Sequence, residues 1–582
     1  MNNQSKLRQS AMLMAGCFGT FTASHTLANV AGESAPNVVF ILADDIGYGD
    51  LGSFGGLVPT PNIDRLAAEG ITFTDAHSPD ALCAPSRFSL MTGSNPYRNG
   101  RPGGSWNINN SSAFSANASH TAAGKHVTVG DVMQSAGYKT AFFGKMHFGG
   151  DAYDSSGNLV RSQNQINDID MSRTIGDTIN QHGFDYSYGL QSGIQYAPYA
   201  FFENGKFAPI DPSKPADNSS TTMMSRTTIS GPNGDSITAG PNPALADVDY
   251  NSSQVGIQLS NKAVDFIDNH MNSNPDTPFM MYYASQAIHV PHTPPVDFDG
   301  DPSTIDQPVA GHTGGTTSDM IYELDLQVGK ILDKLEAEGI ADNTLIIFTS
   351  DNGGLDPVKT KATYGDPNHK SAGDLRDWKT SVYEGGHRVP FIAKWGDGTE
   401  AGSLIKPGSV SDQTIGGMDW VASMYDLTGQ TMEADQAMDS VSLLPEMLGA
   451  LPTNQTLREY LFSFGALGKT GDPANDLKGK EVAIRMGDLV LLATKDGTPF
   501  ELFDLGNDLA QQVNLINEAQ YADEIQQMRQ FYLDHNDQLD PRSTTAVDYS
   551  DPNLRTTWGA VPEPGSMMML TAGTLMLAKR RR

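Results

Sequence analysis

Several things are scarce in this sequence, and each scarcity excludes a class of protein. Cysteine is nearly missing: the 582 residues hold two, Cys17 and Cys83. That rules out a disulfide-stapled fold and a zinc site built on several thiolates. Positive charge is also short, with 38 Lys and Arg against 68 Asp and Glu, a formal charge of −30. A duplex nucleic-acid binder is normally basic, so no nucleic acid is expected as partner. No apolar run reaches the ~20 residues that a membrane-spanning helix needs. What remains is 38% hydrophobic residues with 59 glycines and 33 prolines. This suits a soluble chain with more than one core and long loops. An anionic substrate would need a local basic pocket set against the acidic field of the whole.

The two ends read as processing segments. Lys6 and Arg8 precede a moderately apolar run from Ala11 to Ala23, and Thr26-Leu27-Ala28 offers small residues for cleavage. Residues 1–28 are therefore expected to be a secretory signal peptide. Met14-Ala15-Gly16-Cys17 loosely matches a bacterial lipobox, but the apolar run before it is short. At the other end, Val561-Pro562-Glu563-Pro564-Gly565-Ser566 leads into a mostly apolar stretch and then Lys579-Arg580-Arg581-Arg582. Residues 561–582 resemble the PEP-CTERM sorting signal of Gram-negative bacteria. The resemblance implies exosortase-type sorting machinery as partner, and export to the periplasm, cell surface or extracellular matrix. If the leader is removed, Cys83 is the one thiol left.

Between the ends, four apolar runs stop at polar clusters. Val38 to Leu42 is followed by Asp44-Asp45, and Lys139 to Phe143 by Gly144-Lys145-Met146-His147. Pro278 to Ala284 is followed by His289, and Thr344 to Thr349 by Ser350-Asp351-Asn352-Gly353-Gly354. Continuous apolar runs of this length predict strands buried on both faces. Helical patterns lie between them at Val129–Met133, at Leu259–Ile267 and in a 3.6-period stripe from Met320 to Leu335. The alternation predicts an α/β fold with a large, mainly parallel sheet flanked by helices. Ligands of such sheets bind beyond the carboxyl ends of the strands, where the polar clusters lie. Gly103 to Gly124 and Asp211 to Asp247 read as surface loops or insertions. A composition shift near Pro452 to Gln455 predicts a boundary. Beyond it Glu481–Ile484 and Leu489–Ala493 read as strands of a smaller sheet, followed by Glu501–Leu505 and a helix through Ile525, Met528 and Phe531.

The chemistry follows from residue types. Asp44, Asp45 and Asp351 are carboxylates and Asn352 adds an amide oxygen, a hard-oxygen set suited to Ca²⁺ or Mg²⁺. Lys145, Lys379 and Arg87 could clamp an anionic ester. His147 and His289 could move protons near neutral pH. Cys83-Ala84-Pro85-Ser86-Arg87 places a lone thiol beside a guanidinium, an expensive neighbour for an apolar core. Together these suggest metal-assisted ester hydrolysis.

The pentapeptide resembles the C-x-P-S-R signature of the type I sulfatases, in which the cysteine becomes formylglycine. The resemblance runs from about Pro36 to about Asn514. Asp44-Asp45-Ile46-Gly47-Tyr48-Gly49-Asp50 looks like the family's opening motif, followed by Pro61 to Ala67. Gly144 to Gly149 is similar to G-K-W-H-x-G, with Met146 in place of the usual Trp. Ser350 to Gly354 matches S-D-N-G-G. Lys379 with Glu384-Gly385-Gly386-His387-Arg388-Val389-Pro390 matches the lysine and E-G-G-x-R-V-P. The resemblance implies an alkaline-phosphatase-like catalytic domain over 36–452 and an α+β subdomain on an antiparallel sheet over 453–545. It implies one Ca²⁺, with Mg²⁺ the weaker alternative, held by Asp44, Asp45, Asp351, Asn352 and the modified Cys83. Arg87 and His147 would support the hydrated aldehyde. Lys145, His289 and Lys379 would bind sulfate, with His289 or Lys379 as acid for the leaving group. His292 is the alternative to His289, since Ile288 to Pro294 holds two His-x-Pro strings. A formylglycine-generating enzyme is an implied partner, and a sulfated polysaccharide or oligosaccharide the expected substrate. Two alternatives stand beside this: a phosphate or phosphonate monoester hydrolase of the same superfamily, and a non-catalytic surface protein that binds sulfated glycan.

Overall fold

The computed structural model describes residues 35–99, 106–115, 124–230, 241–299, 306–360, 363–465 and 481–536. The expected signal peptide with Cys17 and the expected sorting tail lie outside the described residues. In chain order the strands of the main sheet are β1 (Asn37–Ala43), β2 (Ile71–Phe73), β3 (Lys139–Lys145), β4 (Tyr186–Leu190), β5 (Phe201–Glu203), β6 (Lys206–Ala208), β7 (Phe279–Ala284), β8 (Thr344–Ser350), β9 (Phe391–Trp395) and β10 (Ser409–Ser411). They form one ten-stranded sheet in the order β10-β2-β9-β8-β1-β7-β3-β4-β5-β6. The centre, β8-β1-β7-β3-β4, is parallel throughout, with Val38 paired to Met280 on one side and to Leu345 on the other. Antiparallel strands β9 and β5 begin the two flanks.

The unbroken apolar character of β1 has a direct cause. Its residues alternate between two separate cores, with Val39, Ile41 and Ala43 in one and Val38, Phe40 and Leu42 in the other. Each face needs its own apolar set, so no polar residue interrupts the strand. Helices α1 (Pro61–Ala68), α4 (Val255–Ser273) and α5 (Thr316–Ala337) cover the first face. On the second face lie α2 (Cys83–Thr92), α3 (Val129–Ser135) and α6 (Trp420–Thr428). Trp420 of α6 stacks on Phe40 at 4.0 Å between centroids and donates its indole N–H to Leu90 O of α2 at 2.7 Å. One aromatic side chain thus ties β1, α2 and α6 together.

A second sheet stands apart, with four antiparallel strands in the order β11 (Tyr460–Gly465), β12 (Glu481–Met486), β13 (Leu489–Thr494) and β14 (Pro499–Asp504). Helix α7 (Ala522–Asn536) buries Met528 and Tyr532 against it. The fold class is the expected one: a mostly parallel, helix-flanked sheet with a small antiparallel sheet after it. The sequence reading missed β11, and it did not anticipate buried residues in the first segment it took as a surface loop or a ladder in the second. Trp106, Ile108, Ala113 and Phe114 of the first are buried in the cores, because this irregular segment packs beside Phe148. The second holds a short antiparallel ladder of Thr221–Met224 with Ala244–Asp247.

Candidate active site

The carboxyl ends of β1, β3 and β8 deliver Asp44-Asp45, Lys145 and Asp351-Asn352 to one place. Lys145 reaches that position because Gly144 precedes it. Gly144 has φ 102°, and a Cβ there would lie 1.7 Å from Ala284 O of the neighbouring β7. Only glycine fits so close an approach. Two non-glycine residues at the site, Asp45 (φ 69°) and His147 (φ 63°), also take left-handed backbone. Such strain persists where the surroundings over-determine it, and it clusters at functional sites.

Cys83 is the first residue of α2, whose ten residues are all buried and which ends at Gly93 with φ 67°. Arg87 follows one turn later, on the same helix face. Its Nε donates to Asp351 Oδ2 at 2.8 Å and its Nη1 to Lys145 O at 3.1 Å, while Nη2 lies 3.5 Å from Asp44 Oδ1. Lys145 Nζ donates to both Asp44 oxygens at 2.8 and 3.1 Å. Lys379 Nζ and Asn352 Nδ2 donate to Asp45 Oδ1, the second at 2.9 Å. The Asp45 N–H donates to Asp351 Oδ1 at 3.1 Å. Three buried carboxylates thus face three fixed cations.

The electrostatics follow from that packing. Burial alone would raise the Asp45 carboxyl, but Lys379, His289 and Lys145 outweigh it and hold it well below the usual range. Burial pushes Asp351 up to about 6, even with Arg87 beside it. Burial would lower the Lys379 ammonium, yet Asp45 raises it above its ordinary value. Burial, with Lys145 and Lys379 near, takes His289 down to about 3 and His147 well below 6.5. The Cys83 thiol is pushed up by burial, against the pull of Lys145 and Lys379.

The two histidine candidates separate. His289 Nε2 lies 3.9 Å from Asp45 Oδ2, and its Nδ1–H donates to Val290 O at 2.9 Å. His292 is turned elsewhere, its Nε2 on Ile288 O at 3.1 Å and its Nδ1 on Thr317 Oγ1 at 3.1 Å. Asp44, Asp45 and His289 each offer a ligand atom within 4.8 Å of the others. Beside Arg87 Nη2, two further groups keep unused valences. Asn352 Oδ1 is buried without a hydrogen bond, and so are both ring nitrogens of His147. An oxygen-rich set with an orphaned amide oxygen fits a hard cation.

The sequence reading gave no role to several neighbours. Asp50, inside the opening motif, accepts from Gly47 N, Ser371 Oγ and His369 Nε2, each at 2.7 Å, and so braces the loop that carries Asp45. A second buried charge network lies outside the cluster. His77 Nε2 donates to Asp75 Oδ1 at 3.0 Å, and Arg388 and Arg485 pair with Asp75 at 3.0 and 3.3 Å. His387 Nε2 donates to Val382 O at 3.0 Å, which leaves its Nδ1 to accept from His77 Nδ1 at 3.0 Å. Burial holds the His387 ring down to about 4 despite Glu384. His387 and Arg388 belong to a quoted motif; nothing local signals their pairing with His77 and Asp75, some 310 positions away.

Strand ends that gather three carboxylates, joined by cations from a strand end, helix α2 and a loop around one side chain, suit a hydrolase of anionic esters. The Sulfatase family model matches residues 36–430, and the chain belongs to the sulfatase family. It is 30% identical over 462 residues to N-acetylgalactosamine-6-O-sulfatase of Bacteroides thetaiotaomicron, covering 74% of this chain and 80% of that one. It is 30% identical over 444 residues to arylsulfatase A of Bos taurus, covering 75% and 72%. A solved Bacteroides thetaiotaomicron structure described under metabolism of multiple glycosaminoglycans superposes with TM-score 0.66 at 27% identity, covering 87% of this chain and 100% of that one. The protein is a sulfatase, a sulfuric ester hydrolase.

Proposed function

We propose that this chain is an exported, formylglycine-dependent, Ca²⁺-dependent sulfatase that removes sulfate from a sulfated oligosaccharide or polysaccharide. The observation that carries the reading is the convergence of Asp44, Asp45, Asp351 and Asn352 with Arg87, Lys145 and Lys379 around Cys83. Formylglycine at position 83 would supply a hydrated aldehyde as nucleophile, and Ca²⁺ on Asp44, Asp45, Asp351 and Asn352 would supply Lewis-acid polarisation. The chain's own charges balance three against three, so a divalent ion would leave the pocket positive by about two charges. That excess suits the anion of a sulfate ester.

The remaining work falls to named side chains. Lys145 and Lys379 hold the equatorial sulfate oxygens and neutralise charge as it develops. Arg87 fixes Asp351 and the backbone of Lys145, so the nucleophile's helix and the metal ligands keep one geometry. With His289 Nδ1–H committed to Val290 O, its Nε2 faces the site and can take or return a proton. Lys379 or His289 protonates the leaving alcohol. His147, with both nitrogens unpaired, supports the nucleophile. The sugar substrate class is suggested by the names of the relatives and by the expected export signals. Those signals also imply exosortase-type sorting, and the Cys83–Arg87 string implies modification by a formylglycine-generating enzyme.

Mass spectrometry of the Cys83 peptide, from protein made in its host, tests the nucleophile: formylglycine is expected. An unmodified thiol would sink the reading and favour non-catalytic glycan binding. Comparing kcat/KM for aryl sulfate and aryl phosphate tests the ester class. A strong phosphate preference would favour the phosphate or phosphonate monoester hydrolase instead. Chelation should abolish activity and Ca²⁺ should restore it.

A further inference from the structure

Lys379 differs from the other cations of the site in how it is held. Arg87 stands on α2 and Lys145 on β3, but Lys379 lies in a stretch with no helix or strand before Glu384. The backbone around it is left-handed at Asp377 (φ 65°) and Thr380 (φ 79°). For a β-branched residue such as Thr380 this is a true outlier, kept only where the surroundings over-determine it. Those surroundings act from two directions. At the tip, Lys379 N–H donates to Gly354 O and Thr380 N–H to Ala81 O, both at 2.8 Å. At the base, Gly385 N–H donates to Arg376 O at 2.8 Å and closes the loop 376–385.

The small sheet grips that base. Gln511, on the segment after β14, accepts from Glu384 N–H through Oε1 at 2.8 Å and from Arg376 Nη1 through its carbonyl at 2.7 Å. One residue thus bonds both ends of the loop. Gln511 is wholly buried and is itself left-handed, at φ 52°. The contact continues along the loop: Tyr383 Oη donates to Glu501 Oε2 of β14 at 2.6 Å, and the Arg376 guanidinium lies 3.7 Å from the Tyr383 ring centroid. β11 takes the neighbouring segment, with Ala81 N–H donating to Phe464 O at 2.8 Å and Phe464 N–H to Pro79 O at 3.0 Å. The entry to the Cys83 helix and the Lys379 loop therefore rest on one small sheet and on each other.

We propose that Gln511 is a positioning residue for the reaction: from the small sheet it ties both ends of the 376–385 loop and so sets Lys379 against Asp45 and the nucleophile. A lysine ammonium rides on four rotatable carbons and is placed only as well as its backbone is. A displacement of about 1 Å at a reacting group can cost up to about a hundredfold in rate. The small sheet is then part of the catalytic apparatus, although it lends no side chain to the cluster of carboxylates and cations. The inference rests on the reading of Lys379 as a sulfate ligand and adds what keeps it in place.

The test is a pair of double-mutant cycles in the full-length modified enzyme, with Lys379→Ala as the common member. Gln511→Met keeps the length of the side chain and, since Gln511 Nε2 makes no hydrogen bond, removes only the acceptor for Glu384 N–H. Arg376→Met cuts the other tie and keeps the stem. kcat/KM on 4-nitrophenyl sulfate is measured well below the Tm of each variant, so that unfolding does not contribute. Each single variant should lower it about tenfold when Lys379 is present. In the Lys379→Ala enzyme the same changes should cost no more than about twofold, because the group they position is gone. The cycle is repeated on the Kd of inorganic sulfate by calorimetry, where the same pattern is expected, so a Lys379→Ala enzyme without measurable turnover still reports. A merely structural role predicts losses that multiply in the Lys379→Ala background, and that result overturns the proposal. Single variants within about twofold of wild type overturn it as well. Wild-type enzyme that releases no sulfate from the aryl ester or from sulfated sugars would instead sink the sulfatase reading.

Discussion

Two buried charge networks in this chain are built from similar side chains and end differently. The network of Asp75, His77, Glu384, His387, Arg388 and Arg485 pairs largely within itself: Arg388 bridges Asp75 and Glu384, the two histidines pair with each other, and Arg485 Nη1 is the one nitrogen of the group left without a hydrogen bond. Around Asp44, Asp45 and Asp351 the charges also pair, but Asn352 Oδ1 and both nitrogens of His147 stay open. A structural network minimises its free energy by satisfying every lone pair it can. A catalytic one must keep valences for groups that come and go. Open acceptors on Asn352 and His147, more than buried charge, set the working site apart from this second network.

The comparison can be broken most forcefully at position 83. Cys83→Ala should lower sulfate release by at least about a thousandfold, as loss of a nucleophile does, with little change in urea midpoint. Residual activity within tenfold of wild type would remove Cys83 from the chemistry. The opposite pattern is expected of Asp75→Ala. Burial alone would raise Asp75, but His77, Arg388 and Arg485 hold it well below the ordinary carboxylate range. Removing it strands buried cations, at about 3–5 kcal/mol of stability. Urea unfolding should show that loss, while kcat of the folded fraction stays within about threefold. A kcat collapse without destabilisation would make the closed network catalytic after all.

A third, smaller test concerns a network that closes only with a proton. Glu323 of α5 accepts from Gln286 Nε2 at 2.9 Å and Gln327 Nε2 at 3.2 Å, and burial pushes its carboxyl up to about 8. The folded state therefore holds a proton that the unfolded chain releases near its ordinary value of 4.5. Its contribution is complete below that value and is lost as pH rises towards 8, with a slope of up to about 1.4 kcal/mol per pH unit. In Glu323→Gln this slope should vanish. A pH-stability profile identical to wild type would refute the assignment.

Much of this was legible before any coordinates. The runs Val38–Leu42 and Leu345–Phe348 are apolar at every position because each strand serves two cores, and the polar residues soon after them could only be at strand ends. The paired Asp44-Asp45 and the Asp351-Asn352 string gave the oxygen-rich cluster for the same reason. β11 escaped because Ser463 breaks its apolar run and Gly465 ends it, so Tyr460–Gly465 resembles many loops even though five of its six residues are buried. The Asp75–Arg485 pairing spans 410 positions and the His77–His387 pairing 310, so neither leaves a local pattern to read.

The complete burial of α2 has a consequence in time. Once the sheet has closed, no modifying enzyme can reach Cys83, so the proposed conversion to formylglycine would have to win a race against folding. Topology sets the handicap. β1 finds its partners only at Met280 and Leu345, so the central strands cannot assemble until the chain has been made past that point. At synthesis rates of about 5–20 residues per second this leaves position 83 outside any finished core for on the order of tens of seconds. Strand order thus works as a delay line, and a circular permutant that placed β7 and β8 ahead of β1 should emerge with a smaller converted fraction.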